Sequence, residues 1–171
     1  FNGNKILTTG GGGMIITNDK HLAEQARHLT TTARVKNNFF IEHSEIGYNY
    51  RMPNINAALG LGQIKNLGQF VDAKRLLAKK YQSWGNENNI KFLTEADGTK
   101  SNYWLNTVIL EDSKERDHFL ELLNKNNISA RPTWTPMHMQ EIYKDCYYDN
   151  LENTEWSFQC AVNVPSSVVN E

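Results

Sequence analysis

Phe1-Asn2-Gly3-Asn4-Lys5-Ile6-Leu7-Thr8-Thr9-Gly10-Gly11-Gly12-Gly13-Met14-Ile15-Ile16-Thr17 decides how the rest of this sequence is read. One lysine, Lys5, stands in a polar turn beside Gly3. Two hydroxyls and four glycines follow, then a β-branched run. Small residues behind a turn let another group come close to the backbone. A lysine that bonds to the carbonyl carbon of a cofactor needs such a setting. By themselves these residues fit a hairpin with a solvent-exposed lysine more readily. Gly10 to Gly13 do not make a phosphate loop, because no Gly-Lys-Ser/Thr closes the run and no strand precedes it.

Working outward, Met14 to Thr17 has the composition of a short buried strand. Asn18 or Asp19 then supplies a cap for a helix from about Lys20 to about Ala33, on which Leu22, Ala26, Leu29 and Ala33 recur at helical spacing. Its polar residues, among them His21, Glu24, Arg27 and His28, form a solvated face. Periodicity fades from Arg34 to Ser44. Phe39, Phe40 and Ile41, coming after the polar Lys36, Asn37 and Asn38, require a surface to cover them. Gly47 to Pro53 is an ordered polar turn, and Pro53 with Asn54 opens a helix. Ile55, Leu59, Ile64, Leu67, Val71, Leu76, Leu77 and Tyr81 carry an apolar stripe on to about Trp84. Gly60, Gly62 and Gly68 each weaken that helix by roughly 1 kcal/mol against Ala. Glycines kept at such a cost allow another backbone to approach, so Ala57-Ala58-Leu59-Gly60-Leu61-Gly62 predicts tight packing against a helix or a partner chain.

Gly85 to Asn89 is a polar break and a domain boundary. Beyond it the pattern is that of a small α/β unit. Strands are predicted at Ile90 to Leu93, Tyr103 to Leu110 and Ile128 to Arg131, the last ended by Pro132. Asp112 and Glu115 have capping-box spacing ahead of a helix with Phe119, Leu120, Leu122 and Leu123 on its inner face. Pro132 and Pro136 stiffen a loop carrying Trp134 and His138. Helices are predicted at Glu141 to Tyr147 and at Trp156 to Ala161, with an extended exit over Val162 to Pro165.

The 171 residues suffice for one domain or a domain and part of another. Lys and Arg number 18 against 19 Asp and Glu, a formal charge of −1. That balance offers no positive field for nucleic acid or an anionic membrane. No apolar run approaches the roughly 20 residues that cross a bilayer. Cys146 and Cys160 have no metal-ligand spacing; they fit a reduced, cytosolic pair and leave a disulfide open.

Two motifs together carry a resemblance. Phe1 to Lys5 followed by Thr8-Thr9-Gly10 and Gly12-Gly13, and then Gly47-Tyr48-Asn49-Tyr50-Arg51-Met52 with Asn56-Ala57-Ala58-Leu59-Gly60, resemble the DegT/StrS-type sugar aminotransferases in order and spacing. The resemblance runs from Phe1 nearly to Glu171 and implies an α/β fold, the C-terminal portion of a type I, aspartate aminotransferase-like enzyme. Residues 1–53 would be the end of its large domain, 54–84 a long linking helix and 85–171 the small α/β domain. The implied reaction is transfer of an amino group, from glutamate, to a keto carbon of a nucleotide-linked sugar for amino-sugar or polysaccharide synthesis. The implied cofactor is pyridoxal 5′-phosphate, in a cytoplasmic homodimer whose active site is shared between subunits. A lean toward 4-keto-6-deoxy sugars rests on Asn2-Gly3-Asn4 and Gly10 to Gly13.

Carried over residue by residue, the resemblance makes Lys5 the lysine that bonds to the cofactor and then serves as acid and base. A free lysine amine, with pKa near 10.4, is a poor nucleophile at neutral pH, which is why the cofactor matters. Asn49 would reach the cofactor phosphate of the neighbouring subunit, since an amide N–H suits a phosphate oxygen without adding charge. Arg51 is either a fork donor to a phosphate or half of an ion pair. His43 and His138 lie in loops that would line a sugar-nucleotide pocket, although a satisfied structural histidine explains either equally simply. Arg131 and Trp134 would hold a diphosphate and stack a base or sugar, and a core Trp fits as well.

Gly11 replaces the family's Glu, which leaves the lysine chemistry intact. The family's aspartate for the pyridine nitrogen, its stacking aromatic and its serine would all precede Phe1. On this reading the 171 residues alone bind cofactor weakly or not at all. The competing expectations are a non-catalytic member and a fragment acting as a structural or regulatory module. A dehydratase on the same fold, with His in place of the lysine, is disfavoured by Lys5.

Overall fold

A computed structural model describes residues 1–36 and 39–167, so Asn37 and Asn38 of the predicted loop lie outside it. The chain divides into two units, Phe1–Gly68 and Gln69–Glu171.

Among its described residues the first unit has two helices, α1 (Lys20–Leu29) and α2 (Asn54–Ile64). Asp19 caps α1, its carboxylate accepting from the His21 and Leu22 N–H groups at 2.8 and 3.1 Å. Three threonines end the helix. The Thr30 and Thr31 hydroxyls each donate at 2.7 Å, to the carbonyls of Ala26 and Arg27. Thr32 and Ala33 then take left-handed φ values of 66° and 49°, which reverses the chain. Ala33 is fully buried, and the returning segment passes over it at Gly47, where a Cβ would overlap the Ala33 nitrogen and the Thr32 carbonyl carbon.

Four sequence expectations over this part of the chain need correction, the first being that the helix expected to about Ala33 ends at Leu29. Met14 to Thr17 forms no strand: the segment pairs with nothing among the described residues, and Met14, Ile15 and Ile16 are 70, 69 and 85% exposed. A β-branched composition makes a strand only where a second strand offers hydrogen bonds. Phe39, Phe40 and Ile41 are likewise exposed, at 90, 70 and 70%. The single helix expected from Asn54 to Trp84 is two helices, α2 and α3 (Leu67–Glu87), separated at Lys65 and Asn66. The Asn66 N–H turns back to the Gln63 carbonyl at 2.9 Å, a tight turn in a stretch already weakened by glycine.

The second unit is an α/β layer. Strands β1 (Lys91–Phe92), β2 (Asn106–Ile109), β3 (Arg131–Pro132) and β4 (Ala161–Val164) form one antiparallel sheet in the order β1-β2-β4-β3. Val108, Ala130, Val162 and Val164 make its core. Tyr81 of α3 and Phe119, Leu120 and Leu123 of α4 (Ser113–Lys125) pack against them. The Asp112 carboxylate caps α4 through the Lys114 and Glu115 N–H groups, at 2.8 and 2.9 Å. The predicted capping box closes one residue early, because Glu115 accepts from the Glu111 N–H at 2.7 Å. α5 (Glu152–Cys160) lies beside α4, tied by Arg116 Nη1 donating to the Phe158 carbonyl at 2.6 Å.

The strand expected over Ile128 to Arg131 is the two-residue β3, Arg131–Pro132, and Pro132 is its last residue. That strand is at the sheet edge, where a missing N–H costs nothing. The helix expected over Glu141 to Tyr147 is a single 3-10 turn at Glu141–Tyr143. The extended exit expected over Val162 to Pro165 is β4, Ala161–Val164, an interior strand.

Candidate functional site

Lys5 lies on an exposed turn whose backbone is closed by its own N–H donating to the Asn2 carbonyl at 3.0 Å. The ends of the segment are drawn together. The Phe1 nitrogen donates to the Gly12 carbonyl at 2.8 Å, and the Phe1 carbonyl accepts from the Thr9 N–H and the Thr8 hydroxyl at 3.1 and 3.2 Å. Gly10 and Gly12 have φ values of 78° and 96°, so the glycine run is needed for its left-handed turns as well as its size.

One face of α2 holds this turn from behind. The Thr8 N–H donates to Gln63 Oε1 at 3.0 Å, and Asn56 Nδ2 donates to the Thr9 carbonyl. Between them a Cβ on Gly60 would stand 2.7 Å from the Thr9 methyl. The close approach expected of Gly60 is therefore to the lysine turn. Asn56 entered the sequence reading only as part of a motif, with no role of its own, and Gln63 not at all. Their signal is the spacing of 56, 60 and 63, which puts an amide, a glycine and an amide on one helix face.

Asn49 and Arg51 sit on the segment that returns alongside the end of α1. Asn49 bridges Thr31, and the N–H groups on either side of it, from Tyr48 and Tyr50, donate to the Leu29 and Thr30 carbonyls at 2.7 and 3.1 Å. Tyr48 and Tyr50 stack at 5.0 Å, as alternation along an extended chain requires. Asn49 and Arg51 line a cleft of about 610 Å³ with Thr31, Thr32, Arg34, Val35 and Lys36. Three cationic side chains, an amide and two threonines around one opening suit an anion with several oxygens. Arg34 and Lys36 were missed in sequence because a charge in a loop reads as a solvated one.

The remaining candidates are placed as follows. His43 Nδ1 lies 2.7 Å from the Thr32 carbonyl, so this ring braces the turn under Asn49. In the second unit, Arg131 is exposed on the edge strand. Trp134 is 68% exposed and stacks on Trp104 at 6.0 Å, a two-ring platform. His138 Nε2 lies 3.0 Å from Glu155 Oε1, its ring tilts against Tyr148 at 4.9 Å, and its Nδ1 is buried without a partner. His138 lines a largely apolar cavity of about 490 Å³ with Tyr143, Tyr148 and Leu151. Cys146 is free and exposed, and Cys160 is free and buried. No helix among the described residues is long and apolar enough to cross a membrane.

Solved aminotransferases share this architecture. PseC of Helicobacter pylori, described as an aminotransferase in pseudoaminic acid biosynthesis, superposes with a TM-score of 0.78 at 25% identity, covering 87% of this chain and 42% of its own. The aminotransferase TlmJ of Streptoalloteichus hindustanus gives 0.85 over 94% of this chain and 44% of its own, at 23% identity. The fold is thus that of type I aminotransferases. The chain belongs to the DegT/DnrJ/EryC1/StrS aminotransferase family, whose model matches residues 1–169. Among curated relatives, EpsN of Bacillus subtilis (strain 168) is 37% identical over 155 residues, 90% of this chain. GDP-perosamine synthase of Escherichia coli O157:H7 is 34% identical over 169 residues, 97% of this chain. The chain spans less than half the length of these relatives, 40% and 45%.

Proposed function

We propose that the chain carries the coenzyme-bearing lysine of a pyridoxal phosphate-dependent aminotransferase, which moves an amino group from glutamate to a keto carbon of a nucleotide-linked sugar. The observation that carries the reading is Lys5 itself, exposed at the tip of a turn fixed at both ends and from behind, in a chain of this family. Relatives named for GDP-perosamine synthesis and for UDP-4-amino-4,6-dideoxy-N-acetyl-β-L-altrosamine transamination support a nucleotide sugar as substrate.

The residues present fit the coenzyme. It requires an accessible amine and a set of N–H donors for a phosphate, and the exposed Lys5 turn and the Asn49–Arg51 cleft supply those two kinds of group. When bound, pyridoxal phosphate supplies a carbonyl that captures amines and a conjugated ring that accepts electron density from the substrate carbon. Lys5 holds the coenzyme through its amine and, once released, moves a proton at the substrate carbon. Asn49 and Arg51 orient the phosphate, and the resemblance makes Asn49 a donor to the neighbouring subunit's coenzyme, hence a homodimer with a shared site. Residues 1–53 and 85–171 are then parts of the large and small domains, with the helical region between them as the link. Arg131 and the Trp104–Trp134 platform are the proposed contacts for the sugar nucleotide. His43 and His138, already bonded to Thr32 and Glu155, shape their loops.

The test is to incubate the intact protein with pyridoxal phosphate, reduce with borohydride and map the modified peptide. The label is expected on Lys5, and Lys5→Ala is expected to abolish turnover. Label on another lysine, or full turnover in the variant, removes the reading.

A further inference from the structure

We propose that helix α2 is the positioning element for the Lys5 amine, and that Asn56 and Gln63 set where that amine stands by gripping the chain three and four residues beyond it. The inference rests on the reading of Lys5 as the coenzyme-bearing amine and adds to it which residues place the lysine.

Three contacts carry it. Gln63 Oε1 accepts from the Thr8 N–H at 3.0 Å. Asn56 Nδ2 donates to the Thr9 carbonyl. Gly60, one helical turn from Asn56 and three residues before Gln63, leaves room for the Thr9 methyl at a distance no Cβ would tolerate. Thr9 is 97% buried as a result, since only 3% of it is exposed. The two amides grip opposite functions of the backbone, an N–H and a C=O, on neighbouring residues. A helix face that grips both fixes the rotation of the Thr8–Thr9 peptide segment as well as its distance. Lys5 hangs from the turn that this segment closes, because the Phe1 carbonyl accepts from both Thr8 and Thr9. A displacement of about 1 Å at a reacting group is enough to cost a large factor in rate, so this grip acts on chemistry without touching it.

The hydrogen-bond polarity makes the inference specific. Gln63 is needed as an acceptor, so Gln63→Glu preserves its bond and Gln63→Ala loses it. Asn56 is needed as a donor, so Asn56→Asp turns an attraction into a carboxylate facing a carbonyl. Packing alone predicts that each isosteric acid behaves like its parent amide.

The experiment follows Lys5 without relying on turnover. The intact protein and the variants Q63A, Q63E, N56A and N56D are treated with pyridoxal phosphate and borohydride. The rate of label at Lys5 is read by peptide mapping against the exposed Lys79 of α3 as internal reference. In parallel, amide hydrogen exchange at Thr8 and Thr9 is measured with no coenzyme present. The expected result is a loss of about fivefold in the Lys5 rate for Q63A and N56A. N56D should lose at least as much, Q63E should stay within about twofold of wild type, and Lys79 should be unchanged. Exchange at Thr8 should rise about fivefold or more in Q63A and stay near wild type in Q63E. Wild-type labelling and exchange in Q63A and N56D, or Q63E as poor as Q63A, overturns the inference. Wild-type protein that takes no label at Lys5 overturns the functional reading instead, and the exchange measurement still decides whether α2 fixes the turn. Melting temperatures identify any variant that fails to fold, and the two acids, which keep side-chain volume, then carry the comparison.

Discussion

Arg75 and Glu95 meet end to end: Nη2 donates to Oε1 at 2.7 Å and Nη1 to Oε2 at 2.9 Å. Arg75 lies on α3 and Glu95 in the loop between β1 and β2, so the pair ties a helix to a loop. The Ser101 N–H also donates to Glu95 at 2.7 Å, and Tyr103, at a left-handed φ of 44°, lies under the guanidinium. Arg75 first, and then the Ser101 N–H, hold the Glu95 carboxyl down at about 2 from an ordinary 4.5. A carboxyl depressed on folding adds stability above its ordinary value and loses it as pH falls through the folded one. Denaturant midpoints of wild type and Glu95→Gln should therefore differ most near neutrality and converge between pH 4.5 and 2. A gap that stays constant across that window would show that the ion pair is not responsible.

Two glycines of one helix should respond with opposite sign. Nothing lies within 4 Å of a Cβ built on Gly62, so Gly62→Ala should stabilise the first unit by about 0.5–1 kcal/mol through helix propensity. Gly60→Ala meets the Thr9 methyl at 2.7 Å, and the clash should cancel that gain and cost about 1–3 kcal/mol more. Urea midpoints of the two variants are the measurement, and equal shifts would refute the contact.

Ser166 serves a buried knot. Its hydroxyl accepts from the Asn106 N–H at 2.7 Å and donates to the Val164 carbonyl at 2.8 Å. Its own carbonyl accepts from Lys74 Nζ, whose burial lowers its pKa. Ser166→Ala should strip the Asn106 N–H of its acceptor and destabilise the second unit by about 1–3 kcal/mol, read by thermal unfolding. A smaller loss on Ser166→Thr, which retains the hydroxyl, separates the bond from the volume.

The cleft beside Asn49 makes a prediction about coenzyme affinity. Hydrogen bonds to a charged group are each worth roughly 1.5–3 kcal/mol, so Asn49→Ala or Arg51→Ala should weaken pyridoxal phosphate binding by about ten- to a hundredfold. Arg51→Lys should recover only part, because the fork is lost. Titration of the intact enzyme by coenzyme absorbance measures this, and unchanged binding in both alanine variants would remove the phosphate role.

Local chemistry was readable in the sequence where it needed no distant partner. Asp19 and Asp112 cap the helices their positions predicted, because a cap depends only on the next three residues. The small-residue run announced a close approach at Gly60, yet its partner, Thr9, lies in another part of the chain. Asn56 and Gln63 were hidden for the opposite reason, since polar side chains on a helix face resemble solvated ones until a backbone is found against them. Met14 to Thr17 misled because strand composition records what a segment can do once paired. Lys5 stood out through two motifs in order, and the structure relates their ends: Asn56 to Gly60, which close the second motif, lie on the helix that braces the turn of the first.

The strand order also has a consequence for how the second unit is made. β4 lies between β2 and β3 although it is translated after both. When β1, β2 and α4 have left the ribosome, the inner edge of β2 still offers unpaired N–H and C=O groups, and Val108 has no Val162 beside it. Growth of this layer from the hairpin outward is blocked until residues 161–164 arrive as a wedge. A nascent chain paused before that point presents a bare edge to its neighbours, which is where a chaperone, or an aggregate, would take hold.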